Sequence, residues 1–290
     1  MTDRKIPARV FAHAAQDAES AKKNLSTPQT NSPSYKLAFQ DEEFLLRDDM
    51  RPVRFQLELQ KPELLLDEAK IASTFVFYGS ARIPAPGVAS GHADPKVAKR
   101  LEALSPYYDE ARKLAQITSG IPRDEAGWRH FVVCSGGGPS IMEAANRGAH
   151  DLRADSIGLN VVLPHEQMPN GYVTPELSFQ FHYFALRKMH FMMRAKALVA
   201  FPGGFGTMDE LFEMLTLIQT KKTKKQFPVL LFGSAFWKNT INFEAFQEWG
   251  MVSPEDRDLY IHVDSVKEAR DMLIEIITEK YLKGDSETND

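Results

Sequence analysis

From about residue 73 onward, short apolar runs alternate with longer stretches in which apolar positions recur every three or four residues. The short runs are Ser73–Tyr78, His130–Cys134, Ser156–Leu163, Phe179–Phe184, Ala197–Phe201, Gln226–Gly233 and Tyr260–Asp264. Their length and their β-branched and aromatic content predict buried strands. The periodic stretches predict helices. Val97, Leu101, Leu104, Tyr108, Ala111 and Leu114 mark one or two of them. Others start at Ile141, run over Ala185–Ala195, from 207 to about 219, over Ala235–Trp249 and over Val266–Tyr281. Strands that alternate with helices in this way predict an α/β chain with a Rossmann-like, doubly wound, mostly parallel sheet covered on both faces.

Upstream the pattern changes. Residues 1–40 are rich in Ala, Lys, Ser, Thr, Gln, Asn and Pro and read as a mobile tail. Residues 41–71, with Glu42–Leu46, Phe55–Leu59 and Pro62–Glu68, read as an N-terminal helical arm whose leucines need a surface to cover. The catalytic domain is then expected over 72–282, with a polar tail over 283–290.

Composition narrows the function. A chain of 290 residues that is 43% hydrophobic and 26% charged has enough apolar material for a sizeable core. Its net charge of −4 offers no general basic field to nucleic acid or to an anionic membrane, so any phosphate must be held locally. The single cysteine, Cys134, excludes an intramolecular disulfide and reads as a buried, inert thiol at a strand end. No C-x-x-C or H-E-x-x-H spacing suggests a metal, and no run approaches a membrane span or a secretory core, which points to the cytoplasm.

Three turns that follow strands carry candidate chemistry. The first, Gly79-Ser80-Ala81-Arg82, offers a glycine, a hydroxyl and a cation suited to phosphate or ribose, or is a plain turn with a solvated arginine. In the second, Gly136, Gly137 and Gly138 lead into a helix through Met142 and Glu143. The third is Pro202-Gly203-Gly204-Phe205-Gly206-Thr207-Met208-Asp209-Glu210, where glycines free to take positive φ precede a helix start whose N–H groups can hold an anion. Neither G-x-G-x-x-G nor the P-loop pattern fits these turns. Thr207 and Glu210 also fit a capping box, in which Glu210 would do no more than start a helix. Arg187 and Lys188 lie near the start of the preceding helix, where the dipole disfavours cations. Either an anion holds them there or they are a solvated pair. Ligands of such sheets bind at the carboxyl ends of strands, so one crevice can collect all three turns.

Pro202–Glu210 resembles the PGGxGTxxE signature of the LOG (Lonely Guy) proteins, the cytokinin riboside 5′-monophosphate phosphoribohydrolases. Arg187-Lys188 matches that family's RK pair, and Ser135–Glu143 is similar to its second glycine turn. The longer arm and Leu163–Gln167 look like a large bacterial branch. The resemblance implies hydrolysis of the N-glycosidic bond of purine ribonucleoside 5′-monophosphates, with or without an N6-prenyl group, without a cofactor. It makes Arg187 and Glu210 the catalytic pair. Substrate contacts are implied for Lys188, for the loop 203–209 and for Thr216 on the same helix face. Glu210, placed in a first helical turn, is expected to be ionised. Short members carry a base-side acid on a loop that reads here Pro164–Gly171, where Glu166 is the substitute. Family members are homodimers or larger. The alternative within related folds is a non-catalytic carrier of a nucleotide or of the molybdenum cofactor. A lysine decarboxylase label also attached to such sequences would call for a pyridoxal phosphate lysine, and no lysine here sits in such a setting.

Overall fold

The computed structural model describes residues 13–164, 168–223 and 227–277. The chain groups into two compact units, one up to Glu58 and one from Leu59 onward.

In the first unit the Ala-rich segment Ala14–Ala21 forms helix α1, followed by short 3-10 turns at Pro33–Tyr35 and Ala38–Gln40. Residues 13–40 thus carry local helical structure. The helix formers alanine, glutamine and glutamate supply the reason. Asp41 caps α2 (Glu42–Leu45) by accepting from the Phe44 N–H, and α3 spans Arg51–Glu68. The boundary between the two units falls inside α3.

The second unit is built on one sheet. Among the described residues its strands are β1 (Thr74–Tyr78), β2 (Val132–Ser135), β3 (Ser156–Val161), β4 (Ser178–Phe181), β5 (Ala195–Ala200), β6 (Val229–Phe232) and β7 (Ile261–Val263). Their order is β4-β3-β2-β1-β5-β6-β7 and every pairing is parallel. The helices between them are α4 (Pro95–Ala103), α5 (Pro106–Ser119), α6 (Ile141–Asp151), α7 (Phe184–Met193), α8 (Phe205–Gln219), α9 (Ser234–Thr240), α10 (Phe243–Glu248) and α11 (Val266–Ile277).

Burial on both faces explains the continuous apolar strands. All five residues of β1 are buried, with Phe75 and Phe77 in one core cluster and Val76 and Tyr78 in the other. The Val97–Leu114 pattern resolves into two helices, and the single helix expected over Ala235–Trp249 is split. Pro106 cannot continue the hydrogen bonding of α4, and Asn242, whose side chain accepts from the Ala245 N–H, restarts the chain as α10. The expected end of the last helix at Tyr281, and the tail 283–290, lie outside the described residues.

The topology does one thing for function. Strand order reverses at β1, whose neighbours β2 and β5 continue away in opposite directions, and sheets of this kind bind ligands outside the carboxyl ends of the strands at such a point. The three glycine turns follow β1, β2 and β5, so they meet at that point.

Candidate functional site

Backbone hydrogen bonds hold the three turns together. The Phe201 N–H donates to the Tyr78 carbonyl at 2.9 Å, and the Ser80 N–H donates to that of Pro202 at 3.0 Å. The Ile141 N–H donates to the Ser80 carbonyl at 3.3 Å, which fastens the start of α6 to the turn after β1. Gly79 is required here because a Cβ would lie 2.5 Å from Ile141 Cγ2.

The loop after β5 works differently from expectation. Gly203, Gly204 and Gly206 are absent from the positive-φ glycines, so left-handed backbone is not what they provide. Gly203 is needed for close approach, since a Cβ there would collide with the Thr207 side chain. Around Gly204 and Gly206 the space is open. Helix α8 begins at Phe205, two residues before Thr207, with Gly204 as N-cap and no side-chain cap. The capping box is therefore not formed. Thr207 sits inside the first turn and is buried, and Glu210 falls in the second turn. The uncapped N–H groups of this first turn carry the positive end of the helix dipole.

Glu210 turns to Arg187 instead. Arg187 Nη1 donates to Glu210 Oε1 at 2.6 Å, with side-chain exposures of 11% and 12%. The guanidinium is fixed on other sides as well. Its Nε donates to the Leu159 carbonyl at 2.7 Å, and Cζ stands 5.0 Å from the centre of the Phe191 ring. A Cβ on Gly136 would lie 2.8 Å from Arg187 Nη2 and 2.7 Å from Met142 Sδ, so Gly136 makes room for both. Burial pushes the Glu210 carboxyl above its ordinary range, and the Arg187 guanidinium pulls against that. The ionised form expected from a first-turn position is thus opposed by burial, because Glu210 lies one turn deeper and out of water. Tyr78, fully buried beneath, is raised well above the usual phenol range, chiefly by burial.

Of the two alternatives for Lys188, an anionic partner or solvent, the structure has the first, and the anions belong to the protein. Its ammonium pairs with Asp209 at 3.2 Å and with Glu213 at 2.7 Å, both on α8. Arg187 and Lys188 are therefore two rungs of one seam between α7 and α8. Met208, Asp209, Phe205 and Thr216 share the outer face of α8 with Lys188. Phe205 is 96% exposed, and the Thr216 hydroxyl donates to the Phe212 carbonyl of its own helix at 2.7 Å. Thr216 is six residues from Glu210, about 120° around the helix, so it does not share the Glu210 face.

The second glycine turn rests on a network that the motifs did not disclose. Ser135 Oγ donates to Asn146 Oδ1 at 2.7 Å and accepts from the Gly137 N–H at 3.0 Å. Asn146 Nδ2 donates to Ser156 Oγ at 3.1 Å. Asn170 Nδ2 donates to the carbonyls of Gly137 and Gly138 at 3.1 and 2.9 Å. Gly137, at φ +70°, packs where a Cβ would strike Asn160. A signal for Asn146 was present: it is a polar residue on the otherwise apolar face of α6 formed by Ile141, Ala144, Ala145 and Ala149.

Arg82 and Glu143 stand apart from the pair. They line a cavity of about 510 Å³ with Ser140 and Tyr108, whose hydroxyl donates to Glu143 Oε1 at 2.6 Å. Cys134 is buried and its thiol is pushed up by burial, which fits an inert side chain. Among the described residues no group of three or more His, Cys, Asp or Glu could hold a metal, and no helix is long and apolar enough to cross a membrane. Glu166, the expected base-side acid, lies outside the described residues.

A buried Arg–Glu pair where three strand-end turns of a parallel α/β sheet meet is thus the class of site defined by the fold. Sequence comparison finds proteins similar to the chain. Residues 142–273 match the family model described as "Possible lysine decarboxylase". The chain is 29% identical over 142 residues to the cytokinin riboside 5′-monophosphate phosphoribohydrolase LOG3 of Arabidopsis thaliana, a match that covers 47% of this chain and 63% of that protein. It is 26% identical over 156 residues to the probable enzyme of the same name, LOGL3, of Oryza sativa subsp. japonica, covering 50% and 69%. A solved molybdenum cofactor binding protein from Rippkaea orientalis aligns at 17% identity and a TM-score of 0.41, covering 71% of this chain and 98% of that one. The curated relatives that this chain is similar to are LOG proteins, the family that the Pro202–Glu210 motif resembles. The match to LOG3 takes in less than two thirds of that relative's length.

Proposed function

We propose that the protein hydrolyses the N-glycosidic bond of purine ribonucleoside 5′-monophosphates, giving free base and ribose 5-phosphate. The observation that carries this reading is the buried Arg187–Glu210 pair beside the open, uncapped N-terminus of α8. The names of the curated relatives support it.

Each group has work to do. The N–H groups of Phe205, Gly206 and Thr207 are suited to the 5′-phosphate, with Gly204 and Gly206 leaving space for its approach. Bond breaking leaves the C1′–N9 electron pair on the base and builds positive charge on the ribose. A carboxylate beside C1′ stabilises that charge and takes a proton from the attacking water, whose oxygen bonds to C1′, and that proton ends on the departing base. Glu210 fills this role, and burial brings its pKa closer to that of an effective base at neutral pH. Arg187 keeps the carboxylate oriented and ionisable. The enzyme acts in the cytoplasm as a homodimer or larger assembly, with the outer face of α8, including Phe205, as the contact.

The test is to incubate the purified protein with AMP and with N6-isopentenyl-adenosine monophosphate and to quantify both products. Release of base from either supports the reading, and the ratio of the two rates assigns salvage or cytokinin activation. Binding of both nucleotides without release would replace it with a carrier.

A further inference from the structure

Three asparagines surround the second glycine turn, and they are not equally engaged. Asn146 Nδ2 donates to Ser156 Oγ, and its Oδ1 accepts from Ser135 Oγ. Asn170 Nδ2 donates to the carbonyls of Gly137 and Gly138 and to Asn146 Oδ1. Asn160 differs from both. It stands near the carboxyl end of β3, is 7% exposed, and its side chain forms no hydrogen bond among the described residues.

The unbonded amide is within reach of a ligand. Neither Oδ1 nor Nδ2 of Asn160 is among the unpartnered polar atoms sealed from solvent, so the small exposed part of the residue includes its amide. A polar group this deep is ordinarily bonded to protein, water or ligand. Its surroundings point to a ligand. Leu159, its neighbour in β3, accepts from Arg187 Nε. A Cβ on Gly136 would lie 2.8 Å from Arg187 Nη2, and one on Gly137 would lie 2.7 Å from Asn160 Oδ1, so guanidinium and amide flank consecutive residues of one turn. Along the strand ends the order is then the start of α8 after β5, the Arg187–Glu210 pair, and Asn160 on β3. From β5 to β3 is three strand spacings, about 14 Å, comparable to the length of an extended nucleoside monophosphate.

We propose that Asn160 is a specificity-determining residue that reads the base, with Oδ1 accepting from the 6-amino group of a purine and Nδ2 donating to the ring nitrogen beside it. The assignment rests on the nucleotide substrate proposed above: a phosphate on the N–H groups of α8 and C1′ at Glu210 leave the base on the β3 side. A carboxamide presents the adjacent acceptor and donor that a 6-aminopurine edge requires. One N–H of the 6-amino group suffices, so an adenine with a single N6 substituent keeps the contact.

The test is titration calorimetry of the full chain in a Glu210→Gln background, so that nucleotide is not consumed. The ligands are AMP, purine riboside 5′-monophosphate, which lacks the 6-amino group, and ribose 5-phosphate, which lacks the base. Asn160→Ala and Asn160→Leu are each expected to weaken AMP about tenfold or more while changing ribose 5-phosphate less than about twofold. Both should also cut the preference for AMP over purine riboside 5′-monophosphate to less than about twofold. Asn160→Leu keeps the side-chain volume, breaks no hydrogen bond to the described residues and is expected to melt no lower than its parent, so a loss in that variant belongs to the amide. Undiminished AMP binding in Asn160→Leu, equal weakening of AMP and ribose 5-phosphate, or no preference for AMP in the parent would overturn the proposal. Base release by wild type is measured separately: its absence would remove the hydrolase, while the AMP preference still decides the role of Asn160.

Discussion

Glu210 and Arg187 form a buried pair of unlike charges, and the two halves should respond differently to removal. Glu210→Gln keeps an oxygen for Arg187 but cannot take a proton, so base release should fall on the order of 10²-fold or more. Arg187→Gln leaves a carboxylate buried without its cation and should lower stability by roughly 3–5 kcal/mol in urea unfolding, more than Glu210→Gln does. The pH dependence has a definite sign. The Glu210 pKa is raised by burial, so kcat/KM should climb with pH through a value above the ordinary carboxylate range. In Arg187→Gln the opposing guanidinium is gone, the pKa rises further and that limb moves to higher pH. The same shift means that Glu210's stabilising contribution is complete below its unfolded pKa and is lost as pH rises through the folded value. An ascending limb in the ordinary carboxylate range, unmoved by Arg187→Gln, would show that Glu210 is not the base. The two residues were legible from a motif, but their contact was not: in the sequence Glu210 fits a capping box equally well, and only the earlier start of α8 at Phe205 frees its carboxylate.

At the scale of the element, the turns after β1, β2 and β5 act as one joint. Gly203→Ala puts a methyl against Thr207, so the loop or α8 must shift, and activity should fall together with about 1–3 kcal/mol of stability. Gly204→Ala, in open space at φ −99°, should leave stability within about 0.5 kcal/mol. Equal losses in the two variants would contradict this account of the loop. Asn146→Ala strands Ser135 and Asn170 in the buried network and should cost about 1–3 kcal/mol, measured by thermal or urea unfolding. The strands were readable because burial on both faces leaves continuous apolar runs such as Thr74–Tyr78. The breaks at Pro106 and Asn242 depend on single residues inside otherwise periodic stretches, and periodicity alone passes over them.

The whole molecule places its chemistry where strand order reverses at β1, and no composition or charge argument could locate that point. Alternation of strands and helices predicts the parallel sheet. Which strands are neighbours, and so which turns meet, follows from tertiary packing. The described residues up to Glu58 group as a unit of their own. If the exposed face of α8 joins two copies, light scattering should give at least twice the chain mass, and Phe205→Glu should shift it toward the monomer. The central claim is that this crevice cleaves a glycosidic bond, and its most direct measurement is a time course of adenine and ribose 5-phosphate formed from AMP by wild-type protein and by Glu210→Gln. The account predicts equal amounts of the two products from wild type and a loss of at least about 10²-fold in the variant. Undiminished release by Glu210→Gln, or no release by wild type, would contradict it.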